Sequence, residues 1–233
     1  MKLKQSYFLT LFIFFCFAGI SQNQAQVNQK DELDRKQGYW KSFDEKGHLK
    51  YEGNFKNDIP IDTFKYYYPD GKLRAVSAFF DEGKQSHTIL YHQNGKLMAE
   101  GDYLNQQKES IWKYFSEYDG VLLSEENYSK NQKNGLWKKF YPNGKIAEET
   151  NYGNNVEDGD WLQFYTDGAK KLEGFYLNGI KEGPFKTYYP NGQVETIGNY
   201  SHSLKDGVWK SFSEDGKLVN EEHYKNGKLI FDY

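Results

Sequence analysis

From residue 38 onward the chain alternates apolar and polar positions in short runs, and the whole alternation recurs with a period of 24 residues. Alternation at period two marks half-buried β-strands, because successive side chains on a strand point to opposite faces. Units begin at Gly38, Asp62, Ser86, Ser110, Gly135, Gly159, Gly183 and Gly207, with one extra residue falling among Ser116, Glu117 and Tyr118. A fixed period of this length is the signature of a repeat architecture. Position 6 of the unit is aromatic in every copy, from Phe43 to Phe212, and so is position 18, from Phe55 to Tyr224. Position 3 is aromatic in every copy but the third, which carries Thr88.

Position 10 is glycine throughout, and in seven copies Asn or Asp precedes it. Asn-Gly or Asp-Gly between two alternating runs predicts a β-hairpin closed by a type I′ turn, which needs positive φ at both central residues. A two-residue loop at positions 9 and 10 makes every cross-strand pair sum to 19. Position 4, mostly Lys, then faces position 15, mostly Glu, pairing Lys41 with Glu52, Lys138 with Glu149 and Lys210 with Glu221. Lys113 and Glu125 join the series if the extra residue of the fourth unit is absorbed as a bulge. Trp40 faces Gly53 and Trp161 faces Gly174, so a large ring is expected over a residue without a side chain. Second turns such as Asn178-Gly179 and Asn226-Gly227 join one hairpin to the next. The expected fold is all-β: an elongated antiparallel meander of tandem hairpins, sixteen strands in a single long twisted sheet.

The first 37 residues lack this pattern. Lys2 and Lys4 precede an uncharged run from Tyr7 to Ile20, and Ser21 and Ala25 follow. This is the layout of a secretory signal peptide over residues 1–25, with cleavage after 21 or 25. The run is short for a membrane span, which takes about 20 residues. Residues 26–37 read as a polar linker. The only cysteine, Cys16, lies inside the apolar run behind Ile13-Phe14-Phe15, an unfavourable context for lipid attachment. The mature chain therefore has no disulfide and no thiol nucleophile.

Composition sharpens the picture. Twenty Tyr, seventeen Phe and five Trp are too many for a disordered chain, and they must carry the packing. The formal charge is −3; without Lys2 and Lys4, 28 basic residues remain against 33 acidic, or −5. Such a balance disfavours nucleic acid as a partner. The five histidines, His48, His87, His92, His202 and His223, fall at scattered repeat positions with no metal-ligand spacing. No Gly-x-Ser-x-Gly elbow and no phosphate-binding glycine loop is present. The glutamates at position 15 recur in most units, as a structural ladder does and a catalytic pair does not. The reading is of a protein that is not an enzyme, with no catalytic residues, cofactor or metal.

The unit from Gly135 through Trp137, Phe140, Asn143-Gly144 and Ile146 to Glu149 and Tyr152, with its relatives at 183–200 and 207–224, resembles the bacterial MORN-repeat variant of YwqK-like antitoxin-type proteins. The resemblance covers residues 38–233. It implies an elongated antiparallel β-structure used for association, with membrane or phospholipid binding proposed for some members and no catalytic residues. Export fits poorly with an antitoxin, which normally meets its toxin in the cytoplasm. The expected function is an exported protein-interaction or scaffold module in the periplasm, at the outer membrane periphery or outside the cell. The alternatives are binding of membrane phospholipid or cell-wall glycan, and antitoxin-like inhibition of a toxin. The candidate partner-binding face is the position-3 row Trp40, Trp112, Trp137, Trp161 and Trp209, opposite the face of position 6.

Overall fold

The computed structural model describes residues 26–230, so the signal-peptide reading and its cleavage points lie outside the described residues. Nineteen strands follow one another in a single sheet, running from Gln29–Lys30 at one edge to Lys228–Ile230 at the other. Successive strands pair antiparallel, except that Ile180–Lys181 and Gly183–Tyr188 both pair with Lys170–Leu177. The three strands beyond the expected sixteen are the two short edge strands and one repeat strand split into Ile180–Lys181 and Gly183–Tyr188.

Residues 26–37 are not a tether throughout. Gln29 and Lys30 pair with Gln37 and Lys36, and the Asp31 carboxylate closes the intervening turn by accepting from the Arg35 and Leu33 amides. The Asp31 carboxyl sits at about 2, well below the usual range, chiefly because it also bonds the Arg35 side chain. This added hairpin gives the first repeat the neighbour that every later repeat has: the Trp40 indole donates to the Gln29 carbonyl at 3.1 Å.

The register matches expectation, but the turn does not. Gly38 pairs with Phe55, Trp40 with Gly53 and Lys41 with Glu52, all summing to 19. Of the residues at the tip, however, only Gly47 has positive φ, at 84°. The Gly47 amide bonds the Asp44 carbonyl and the Asp44 amide bonds the His48 carbonyl, which is a type I turn followed by a left-handed glycine. That loop is one residue longer than a type I′ turn, and Phe43 consequently pairs with Leu49. A bulge at Lys50 adds the residue back on the returning strand, so the two departures cancel and the sum of 19 is restored. The same offset recurs at the end of every repeat hairpin, for example at Phe140 and Phe212. The type I′ geometry belongs to the turns between repeats: Asn57 and Asp58, Asn105 and Gln106, and Asn154 and Asn155 all have both φ positive. In the fourth unit the extra residue lengthens the Ser116–Val121 loop instead of forming a bulge within a strand.

Both long margins of the sheet are tied from repeat to repeat. On the hairpin-tip side Tyr68, Tyr141, Tyr165 and Tyr189 each donate a phenol hydrogen to the backbone carbonyl 23 residues ahead, at 2.6 to 2.9 Å. Asn94, Asn143 and Asn191 do the same one step further along the tip. On the other margin the turn amides of Asp58, Asn131, Asn155 and Ser203 bond the carbonyls of Lys36, Lys108, Lys133 and Lys181, the strand lysines just past the preceding turn. The Tyr-Pro-Asn-Gly sequence is thus an inter-repeat clasp as well as a turn.

A gap in the aromatic row as candidate binding site

The two faces of the sheet differ. The even face, named for the first strand of each hairpin, carries Lys–Glu pairs and phenols: Lys41–Glu52 at 3.4 Å, Lys138–Glu149 at 3.8 Å and Lys210–Glu221 at 3.2 Å, as expected. Lys113 lies opposite Glu125 in register but forms its ion pair across the repeat boundary with Glu100 at 3.7 Å. Glu52 accepts from Tyr39 and Tyr67, each at 2.6 Å. These bonds, led by that of Tyr39, hold its carboxyl below the usual range and push the Tyr39 phenol up to about 12.

The odd face, named likewise for the first strand, carries the rings of position 3 and, on the returning strand, of position 18. Trp40 meets Phe55, Phe55 meets Phe64 and Phe64 meets Phe79, with ring centroids 5.0 to 6.0 Å apart. Beyond the gap described below, Tyr103 meets Trp112 at 4.9 Å and Tyr128 meets Trp137 at 5.4 Å. Lysine two residues before the unit adds a third component. Lys108 lies over Trp112 and Tyr128, Lys133 over Trp137 and Tyr152, and Lys205 over Trp209 and Tyr224, at 4.2 to 4.9 Å. Each ammonium shields two rings while remaining wet.

How deep a position-3 ring sinks follows the preceding repeat in each ring-bearing unit after the first except the seventh, where Phe185 stays half-buried although Gly174 precedes it. Gly53 faces a run of three residues, Asp62 to Phe64, on the next strand, and this bulge folds the Phe64 ring over Gly53. A Cβ built on Gly53 would lie 2.5 Å from that ring; Gly101 under Trp112 and Gly198 under Trp209 leave still less room. The covering ring therefore comes from the following repeat, whereas the expected pairing of Trp40 with Gly53 is one of register alone. Trp161 and Phe185 both approach Gly174, at 3.3 Å. Where the preceding residue has a side chain, as at Glu126 and Thr150, the bulge shifts by one and the tryptophan pairs directly with it. Trp137 and Trp161 then stay half-exposed.

The proposed partner face must accordingly be divided. Trp112 is wholly buried and Trp209 is 4% exposed, so these two are core and offer no ring to a partner. Their indole N–H groups are also engaged, with the Asp102 and Asn199 carbonyls. Trp40, Trp137 and Trp161 remain half-exposed on that face.

The third repeat breaks the row. Thr88 replaces the ring and Ser77 replaces the glycine, and the two hydroxyls bond each other at 2.8 Å while buried. The bulge between these repeats is missing as well. Strands Leu73–Phe80 and Gln85–Tyr91 pair in unbroken register, and the residues freed from the bulge lengthen the turn, where Asp81, Glu82 and Gly83 all have positive φ. Loss of one ring from a close-packed row leaves an open cavity of about 530 Å³ between Phe79 and Tyr103. Its floor is Ala75, Ser77, Ser86 and Thr88, all buried. Arg74 and Lys84 stand at its rim, and no acidic side chain lines it. In sequence the gap is visible only as the single non-aromatic residue at position 3.

The histidines do not gather. His87 meets Asp102 at 2.7 Å on the exposed even face, His48 meets Asp44 in a hairpin tip, and His92 approaches the Phe115 carbonyl. Among the described residues, no group of three His, Cys, Asp or Glu comes together.

A single antiparallel meander of near-identical hairpins, tied margin to margin, defines a tandem β-hairpin repeat protein. The MORN repeat variant family matches it in six segments, residues 36–57, 63–84, 87–105, 133–154, 181–202 and 205–226, and the chain belongs to that family. The stretches between the matched segments, in the fourth and sixth units, fold as the same hairpins. No curated protein matches the chain.

Proposed function

We propose that the protein is a non-catalytic, exported interaction scaffold whose partner protein docks on the odd face of the fifth and sixth repeats. The observation that carries this reading is the different depth of chemically identical rings. Glu126 and Thr150 hold Trp137 and Trp161 up at the surface, while glycine lets Trp112 sink out of reach. Half-exposed tryptophans beside a flexible cation on a stiff sheet supply what interface anchors need, large apolar area at small entropic cost. Export to the periplasm, the outer membrane periphery or the exterior is supported by the basic and apolar layout of residues 1–25.

The test is an affinity pull-down from detergent-solubilised envelope with residues 26–233, beside a Trp137→Ala/Trp161→Ala variant checked for native circular dichroism. A protein retained by the wild type and lost by the folded variant is expected. Equal retention by both would refute the face. Membrane phospholipid or cell-wall glycan is the second reading, favoured by the same rings with Lys133 and Lys181 above them, at 4.2 and 4.9 Å; liposome flotation and glycan pull-down distinguish these ligands from protein. Inhibition of a toxin in the manner of antitoxin-type relatives is a special case of a protein partner, and a toxin captured in the pull-down would identify it.

A further inference from the structure

The gap at Thr88 has a shape that the rest of the protein defines. In the other repeats the same place holds an aromatic ring, and in the first, fourth, fifth and eighth units the lysine two residues before the unit lies over that ring, as Lys108 and Lys205 do at 4.6 and 4.5 Å, while Lys181 lies over Trp161 instead of Phe185. Lys84 occupies that lysine position, yet Thr88 gives it no position-3 ring to cover. Arg74 is the bulged residue of its hairpin, and it and Met98, its equivalent one repeat later, both line the cavity. Two cations and no acid among the lining residues of a net acidic chain make the cavity positive, Arg74 near the start of strand Leu73–Phe80 and Lys84 just beyond its other end. The walls are ring faces and edges, Phe79 on one side and Tyr103 on the other, above a floor of small side chains whose only hydroxyl–hydroxyl bond is already made. A volume of about 530 Å³ is within the range of small-molecule sites.

From this geometry we propose that the cavity binds a small planar aromatic anion, an aryl carboxylate of one or two fused rings. The ring replaces the absent position-3 side chain between Phe79 and Tyr103, and the carboxylate takes Lys84, the cation at the same end of strand Leu73–Phe80 as Phe79. Ring and charge are both required. An uncharged ring leaves Lys84 without a partner, and an aliphatic acid gains no edge-to-face contact with the walls. The site is independent of the partner face on the fifth and sixth repeats, so either assignment can fail alone.

The experiment is calorimetric titration of residues 26–233 with 2-naphthoate, 2-naphthylmethanol and cyclohexanecarboxylate. One saturable 2-naphthoate site per chain is expected, with each of the other two probes about tenfold weaker or more, the loss typical of one charge-assisted contact or one stacked ring. Ser77→Gly/Thr88→Trp rebuilds the glycine and ring of the neighbouring repeats, plugs the gap from within and abolishes binding. Should that variant not fold, Arg74→Ala/Lys84→Ala, at two exposed positions, decides instead: it lowers 2-naphthoate affinity to that of 2-naphthylmethanol and leaves the alcohol unchanged. The proposal is overturned by the absence of saturable 2-naphthoate binding, by equal affinity for all three probes, or by unchanged binding in either folded variant.

Discussion

Replacing Gly101 by alanine tests the link between glycine and ring burial most directly. The added methyl falls within the Trp112 indole, which is wholly buried, and the nearest atoms are ring atoms that cannot swing aside like the end of a flexible chain. Relief requires the ring to rise or the bulge facing Gly101 to shift by one residue, as it does at Glu126 and Thr150. A fully buried indole removes about 200 Å² from water, worth at most about 5 kcal/mol, and half-exposure forfeits about half of that. Alanine recovers about 0.5–1 kcal/mol relative to glycine through the unfolded chain. The net expectation is a destabilisation of about 1–2 kcal/mol, within the range of overpacked cores. Equilibrium urea unfolding measures it as a lower midpoint at unchanged slope. The chain already contains the compensated form of this change, Ser77 with Thr88. Gly101→Ser/Trp112→Thr should therefore cost less than the sum of its two single changes, because the serine no longer meets a ring. Gly101→Ala within about 0.5 kcal/mol of the wild type, the margin for a surface change, or strict additivity in the double variant, would refute the argument.

Other consequences are as sharply defined. Tyr189→Phe removes the clasp to the Phe212 carbonyl at 2.9 Å and should cost about 0.5–1.5 kcal/mol, read from the same unfolding curves. Gly144→Ala forces a Cβ into φ +80° at a hairpin tip with open space around it, so the cost of about 1–2 kcal/mol is conformational alone and should not depend on ionic strength. Glu52 has its folded pKa below the ordinary 4.5, so its stabilisation is complete above the unfolded value and is lost as pH falls through the folded one. The urea midpoint of the wild type should exceed that of Glu52→Gln at neutral pH, and the difference should begin to shrink below about pH 4.5 and close only below the folded value; a difference independent of pH across the acid range would place the effect elsewhere. Lys210→Ala removes an ion pair that is well exposed on both sides and should change stability by less than about 1 kcal/mol.

Most of the fold was legible because each repeat states the same rule again. Period-two alternation gave the strands, the invariant glycine gave the hairpin, and the Lys–Glu complement fixed the register independently of the turn. The turn type was misread because Asn-Gly serves two loops equally well: the type I′ turn and the type I turn with a left-handed glycine both put glycine last in the loop. Side-chain spacing cannot separate a two-residue loop from a longer one followed by a bulge, since Lys41 faces Glu52 in either. The added N-terminal hairpin escaped notice for a different reason. Gln29, Lys30, Lys36 and Gln37 are all polar, and the pairing is held by Asp31 and by the Trp40 indole, leaving no apolar alternation to detect.

The division of the tryptophan row was legible in principle, although not from the row alone. In register Trp40 faces Gly53 and Trp161 faces Gly174, position 16 of their own units, whereas burial follows position 16 of the unit before in every ring-bearing unit after the first but the seventh, whose Phe185 stays half-buried behind Gly174. Read across that boundary, Gly53, Gly101 and Gly198 mark Phe64, Trp112 and Trp209 as core, and Glu126 and Thr150 mark Trp137 and Trp161 as surface. The same reading turns Thr88 from an irregular repeat into half of a coupled pair. Ser77 cannot lie beneath a ring that would meet its Cβ, so the serine and the missing ring imply each other, and the cavity is what the two leave behind. A repeat array that keeps its backbone register through such a defect, as strands Leu73–Phe80 and Gln85–Tyr91 do, needs only two substitutions and a longer turn to open a pocket in an otherwise filled face. The repeat supplies the walls without change, which is why the chemistry of the gap can be inferred from what its neighbours place there.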